Sequence, residues 1–140
     1  MAFKVSKLDF WTATIDDRAG GAADMLEPLS AAGANFEFVF ARRTPEHAGR
    51  GLLVIAPVKG AKVVKAAQAA GFSKGEMAGV RIEGNDKPGL TAKAARALGD
   101  AGVSFRALSA SAIGRKFVTY VALDSAADAA KAAAALRKLG

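Results

Sequence analysis

The chain repeats itself. Shifted by 69 residues, its first part falls on its second with nine identities between positions 3 and 41 and no gap. Phe3 falls on Phe72, Asp17 on Asp86, Gly20 on Gly89, Ala23 on Ala92 and Leu29 on Leu98. Ala32 then falls on Ala101, Gly33 on Gly102, Phe36 on Phe105 and Ala41 on Ala110. Self-similarity at a fixed period means one structural unit used twice. Beyond Ala41 the shift drops to 65, pairing Gly49-Arg50 with Gly114-Arg115, and it returns to 69 at Gly71 and Gly140. That predicts four extra residues in a loop of copy one, near 44–48, and four in a loop of copy two, near 124–128. Both stretches have loop composition.

Each copy presents the same series of elements. In copy two, residues 72–83 read as one long strand, or as two strands joined by a bulge at Ala78-Gly79. A turn follows over 84–89. Leu90, Ala94, Leu98 and Ala101 then recur at helical spacing, predicting a helix over 91–101 ended by Gly102. Strands are predicted over 103–110 and 116–123, and a last helix over 126–139, capped by Asp124 or Ser125. Copy one gives a strand over 8–15, a turn over 16–21, a helix over 22–32 with Gly33 after it, strands over 34–41 and 52–58, and a helix over 61–70. Pro28 falls inside the first helix, which predicts a kink or a late start. Trp11 and the alternating Phe36, Phe38 and Phe40 read as core.

The fold class expected is α+β: two ferredoxin-like βαββαβ units in tandem, with antiparallel sheets and helices on one face. The units span 1–71 and 72–140. Copy two ends after its second helix, so its closing strand is expected from residues 3–8, at the N-terminus. Residues 72–77 would close the first unit, with the exchange made within the chain or across a dimer.

Asn85-Asp86-Lys87-Pro88-Gly89-Leu90 carries the most specific chemistry. Pro sets φ, and Gly opens a conformation closed to other residues. The following helix offers unpaired N–H groups and a positive dipole end, which suit a carboxylate. Asn85 and Asp86 add acceptors for an ammonium. The alternative is structural: Asp86 caps the helix and Pro-Gly turns the chain.

Asp-Lys-Pro-Gly-Leu leading into an Ala-rich helix, then Ala101-Gly102-Val103-Ser104-Phe105 leading into a strand, resembles the ACT domain. So does Ala32-Gly33-Ala34-Asn35-Phe36-Glu37-Phe38 in copy one. The resemblance covers the whole chain as two ACT units. It implies regulatory binding of a small molecule, most often an amino acid, at the turn after the first strand of a unit and on residues of a neighbouring unit. By position it nominates Asn85, Asp86, Lys87, Pro88, Gly89 and Leu90 in copy two, and Asp16, Asp17, Arg18, Ala19, Gly20 and Gly21 in copy one. Asn35 and Ser104, at the starts of the aligned strands, are further candidates. In copy one Ala19 stands for Pro and Gly21 for Leu, which predicts a looser turn without an apolar anchor. The resemblance further implies association into a homo-oligomer, a dimer in the first instance, and regulation of an enzyme on another chain.

Other functions find less support. The net charge of +7 is spread out, and the densest basic clusters, Arg42-Arg43 and Arg115-Lys116, are two residues each, unlike the stripe of a nucleic-acid binder. The alternatives are a purely structural interaction protein and an RNA-binding ferredoxin-like module with Phe117 and Tyr120, near the second pair, as its stacking rings; a spacing of three, however, puts those rings on opposite faces of a strand. The one His, His47, sits in the inserted loop of copy one and reads as solvated, with no second His to share a metal. Neither catalytic residues nor a cofactor or metal are expected. With no Cys there is no disulfide framework. The longest apolar run, about 52–58, is far short of the ~20 residues of a membrane span. The charged first residues hold no apolar leader, so a cytoplasmic chain is expected.

Overall fold

The computed structural model describes residues 3–139. Its elements in chain order are β1 (Lys4–Asp9), β2 (Trp11–Asp16), α1 (Gly21–Ala31), β3 (Phe38–Arg43), β4 (Arg50–Ala56) and α2 (Ala61–Ala69). There follow β5 (Ala78–Asn85), α3 (Leu90–Asp100), β6 (Ala107–Ile113), β7 (Lys116–Leu123) and α4 (Ala126–Arg137). The chain divides into two compact units, Asp9–Gly75 and Met1–Leu8 with Glu76–Gly140.

In the second of these the strand order is β1-β5-β7-β6. The N-terminal strand therefore completes the sheet of the second copy, within the same chain. Phe3 and Val5 pack against the core that Val80, Ile82, Leu98, Val121, Leu123 and Leu136 form between sheet and helices. The Phe3 and Phe117 rings meet edge to face, centroids 5.3 Å apart.

The first copy has the order β2-β4-β3. Ala13, Leu53 and Ile55 turn one face of that sheet toward Leu29 and Ala67 of its helices. Its closing segment is a single bridge, not a strand: Ser73 and Thr12 exchange two backbone hydrogen bonds of 2.9 Å. The run expected from residue 72 begins as a strand only at Ala78, because Gly75 takes φ +63° and turns the backbone away.

Helix ends follow local chemistry. Gly33 and Gly102, both at positive φ, end α1 and α3 with paired bonds: Ala34 to Leu29 and Gly33 to Ser30, Val103 to Leu98 and Gly102 to Gly99, at 2.9–3.0 Å. Ser125, rather than Asp124, caps α4 by accepting from the Asp128 N–H at 3.1 Å. Helix α1 starts at Gly21 and runs through Pro28, so the late start does not occur.

The three phenylalanines do not share a face. Strand β3 begins only at Phe38, so Phe36 lies before it and joins the helix-side core. Phe38 and Phe40 pair with Ala56 and Val54, on the face opposite Leu53 and Ile55. There Phe38 packs on Phe10, centroids 5.3 Å apart, while Phe40 is 43% exposed. Register also aligns the two hairpins. Asp16 pairs with Arg50, and Asn85 with Lys116. Arg50 is thus the counterpart of Lys116, and the β3–β4 loop, residues 44–49, is four residues longer than the β6–β7 loop, residues 114–115.

Candidate functional site

The turn between β5 and α3 is held from below. Asp86 N–H donates to the Arg115 carbonyl at 2.8 Å, and Lys116 Nζ donates to Asn85 Oδ1 at 2.8 Å. Register explains both, since Asn85 and Lys116 end the paired strands. Gly89 is the N-cap of α3, at φ 85° and ψ 2°, and provides no side-chain cap to the helix. Asp86 is therefore not the helix cap. Asp86, Lys87, Pro88 and Gly89 are exposed, while Leu90 is half-buried and packs on the core. Among the described residues, neither the Asp86 carboxylate nor the Lys87 ammonium has a side-chain partner. An acid, a base and an uncapped helix start thus converge on one exposed loop. Lys116 adds a second ammonium, which the linear sequence did not nominate because only strand pairing brings it there.

The corresponding turn of the first unit shares the backbone and differs in everything else. Gly20 is the N-cap at φ 83° and ψ −5°, and Asp17 N–H donates to Gly49 O at 2.9 Å. Here the acids are already engaged. Arg50 hydrogen-bonds Asp16, Arg43 donates to Asp17 at 2.9 Å, and Arg18 pairs with Asp24. The Arg18 guanidinium is held above its ordinary pKa mainly by the hydrogen bond to Asp24. Nor is this turn looser for lacking Pro. Gly21 is buried, and a Cβ there would collide with the Asp16 carbonyl oxygen. The turn is closed on its own backbone, with no room for a counterpart of Leu90.

Asn35 and Ser104 do not join these turns within their own units. Both are exposed and lie in loops ahead of β3 and β6, past the far ends of α1 and α3. An 11-residue helix separates each from its turn, about 16 Å at 1.5 Å per residue.

The pair suggested for base stacking is not available for it. Phe117 faces the helix-side core, and Tyr120 faces the other way with its hydroxyl 3.1 Å from Arg81 Nε; each is 7% exposed. His47 is exposed, as expected, and borders an open cleft. It and Thr14, Arg42, Thr44, Arg50, Gly51 and Leu52 line this cleft of about 350 Å³ in the first unit. Among the described residues no group of three His, Asp or Glu side chains could hold a metal, and no helix is long and apolar enough to cross a membrane.

The comparisons with known proteins agree with this architecture. Residues 79–140 match the sequence profile of the ACT domain. A protein from Bacteroides thetaiotaomicron superimposes with a TM-score of 0.71 at 18% identity, over 93% of this chain and 87% of that one. The regulatory subunit of aspartate kinase from Thermus thermophilus, in its ligand-free form, gives 0.66 at 16% identity, over 99% and 96%. The aspartate kinase of Clostridium acetobutylicum gives 0.60 at 18% identity, where 97% of this chain covers 34% of the enzyme. At these identities the likeness is one of fold. No curated protein matches the sequence. Residues 79–140 thus match the ACT domain, and the chain has the tandem fold of the ACT-type regulatory subunits it resembles.

Proposed function

We propose that the chain is a non-catalytic regulatory module that binds an amino acid and acts on an enzyme carried by another chain. The observation that carries this reading is the pair of unengaged opposite charges, Asp86 and Lys87, at the uncapped start of α3. The α-carboxylate of the ligand meets the helix N–H groups and Lys87, and its α-ammonium meets Asp86. The second unit is the binding unit, because the acids of the first turn are taken by Arg43 and Arg50. Likeness in fold to regulatory subunits of aspartate kinase supports the regulatory part of the reading. The module works in the cytoplasm as a homodimer. Strands β3 and β6 end their sheets, and Val39, Phe40 and Ile113 stand exposed on them, which suits edge pairing between copies.

A calorimetric screen of the twenty amino acids tests it. The expected outcome is one or a few ligands binding with Kd between about 1 μM and 1 mM, with loss of binding in Asp86→Ala. Silence from all twenty would sink the reading.

A further inference from the structure

We infer that the first unit carries a separate site for a small phosphate ester, on its sheet face beside the β3–β4 hairpin loop. Thr14, Leu52 and Arg42 pair directly across three neighbouring strands, so their side chains form one row on the same face. That face is opposite the one on which Leu53 and Ile55 pack against the helices. The hairpin loop, four residues longer than its counterpart, closes on itself beside this row, and its Thr44, His47 and Arg50 share a cleft with it. Thr44 N–H donates to Arg50 O at 3.0 Å, His47 N–H to Thr44 O at 2.9 Å and Arg50 N–H to His47 O at 3.1 Å. The cleft is open to solvent and has a volume of about 350 Å³, at the low end of the ~300–1,000 Å³ common for small-molecule sites.

The lining selects charge. Arg42, Arg50 and His47 supply nitrogen donors, Thr14 and Thr44 supply hydroxyls, Leu52 supplies an apolar floor, and no carboxylate lines the space. Asp16 takes one edge of the Arg50 guanidinium. Arg42 gives one N–H to the Arg43 carbonyl at 2.9 Å and has no carboxylate partner among the described residues. Two guanidinium groups with flanking hydroxyls match the three terminal oxygens and double charge of a phosphate better than the two oxygens of a carboxylate. The remaining volume and Leu52 accommodate a short organic group. The lining belongs wholly to the first unit, whereas the proposed amino-acid turn lies in the second, so the two readings stand or fall separately.

Inorganic phosphate and glycerol phosphate, titrated into the full chain and followed by amide chemical shifts, test the site. Saturable shifts are expected at Thr44, His47, Arg50 and Gly51, with glycerol phosphate binding more tightly than phosphate. Arg42→Gln should weaken binding about tenfold. Lys62→Gln, which removes the same charge from exposed α2, should leave it within twofold. Arg42 is exposed, so its variant should melt with the parent. Equal weakening by both variants, shifts spread over the basic surface, or tighter binding of acetate than of phosphate would overturn the assignment.

Discussion

Phe3 stands edge-on to Phe117, ring planes at 86°, and the two rings fill the space over Gly84. A Cβ on Gly84 would fall 2.7 Å from Phe3 Cδ1 and 3.1 Å from Phe117 Cε1. The missing side chain of β5 is thus the seat on which the N-terminal strand is fastened.

Gly84→Ala should therefore destabilise the second unit by about 1–3 kcal/mol, as overpacking does. Phe3→Ala should also destabilise, by removing the ring that closes the sheet. Combined, the two should cost clearly less than their sum, because the added methyl then occupies space that the Phe3 ring has left. Denaturant titration of the four proteins checks this; strict additivity would contradict the shared seat.

Thr119 is 1% exposed on the helix-facing side of β7, and its hydroxyl has no hydrogen-bond partner. By strand register its counterpart in the first unit is Leu53, an apolar core residue. Thr119→Val should raise stability by about 1 kcal/mol, since it removes an unpaired buried polar group at nearly constant shape. Thermal or chemical unfolding reads the gain directly.

The Glu83 carboxyl is held below its ordinary 4.5 by its hydrogen bond to Arg81, with Lys4 adding to the attraction. Its folded-state pKa is the lower one, so its stabilisation is complete above about pH 4.5 and is lost as pH falls through the folded value. The wild-type protein should lose more stability than Glu83→Gln on going from pH 5 to pH 3. Parallel losses would show that the pair contributes nothing in solution.

Gly21 cannot be exchanged for the Leu of the other turn. Gly21→Leu should cost at least about 2 kcal/mol, because the new Cβ meets the Asp16 carbonyl rather than a flexible side chain. Unfolding curves of the variant test the closed geometry of the first turn.

The two turns should also separate in binding. Asp86→Ala should abolish the amino-acid response without lowering the melting temperature, as its carboxylate has no partner to lose. Asp17→Ala should leave the response intact and cost at most about 1 kcal/mol, the worth of an exposed ion pair with Arg43. Calorimetry and thermal melts on both variants read the contrast.

Much of the architecture was legible in the residues. The 69-residue period, the glycines after α1 and α3 and the Ser125 cap all act over a few residues, so the helices lie within one residue of their expected starts. The missing closing strand of copy two pointed to residues 3–8, and β1 lies there beside β5. Phe36, Phe38 and Phe40 misled, because alternation identifies a face only once the first paired residue is known, and β3 starts later than the pattern suggests. The lengthened loop was visible, but the cleft beside it was not. His47 looked solitary, although Arg42 and Arg50 lie five and three residues away; the row of Thr14, Leu52 and Arg42 beside it exists only through cross-strand pairing.

The residues alone dictate the repeated unit, its order of strands and helices, and the turn geometry that Gly20 and Gly89 impose alike. These rest on backbone preferences and apolar spacing, which are local. Which of the two turns keeps its charges open is a matter of tertiary pairing. Arg43 and Arg50 come from 26 and 34 residues away to engage Asp17 and Asp16. In the other unit the corresponding strand brings Lys116 to Asn85 and leaves Asp86 open. Strand register makes that choice, since an ion pair depends on distance in space and not on distance along the chain.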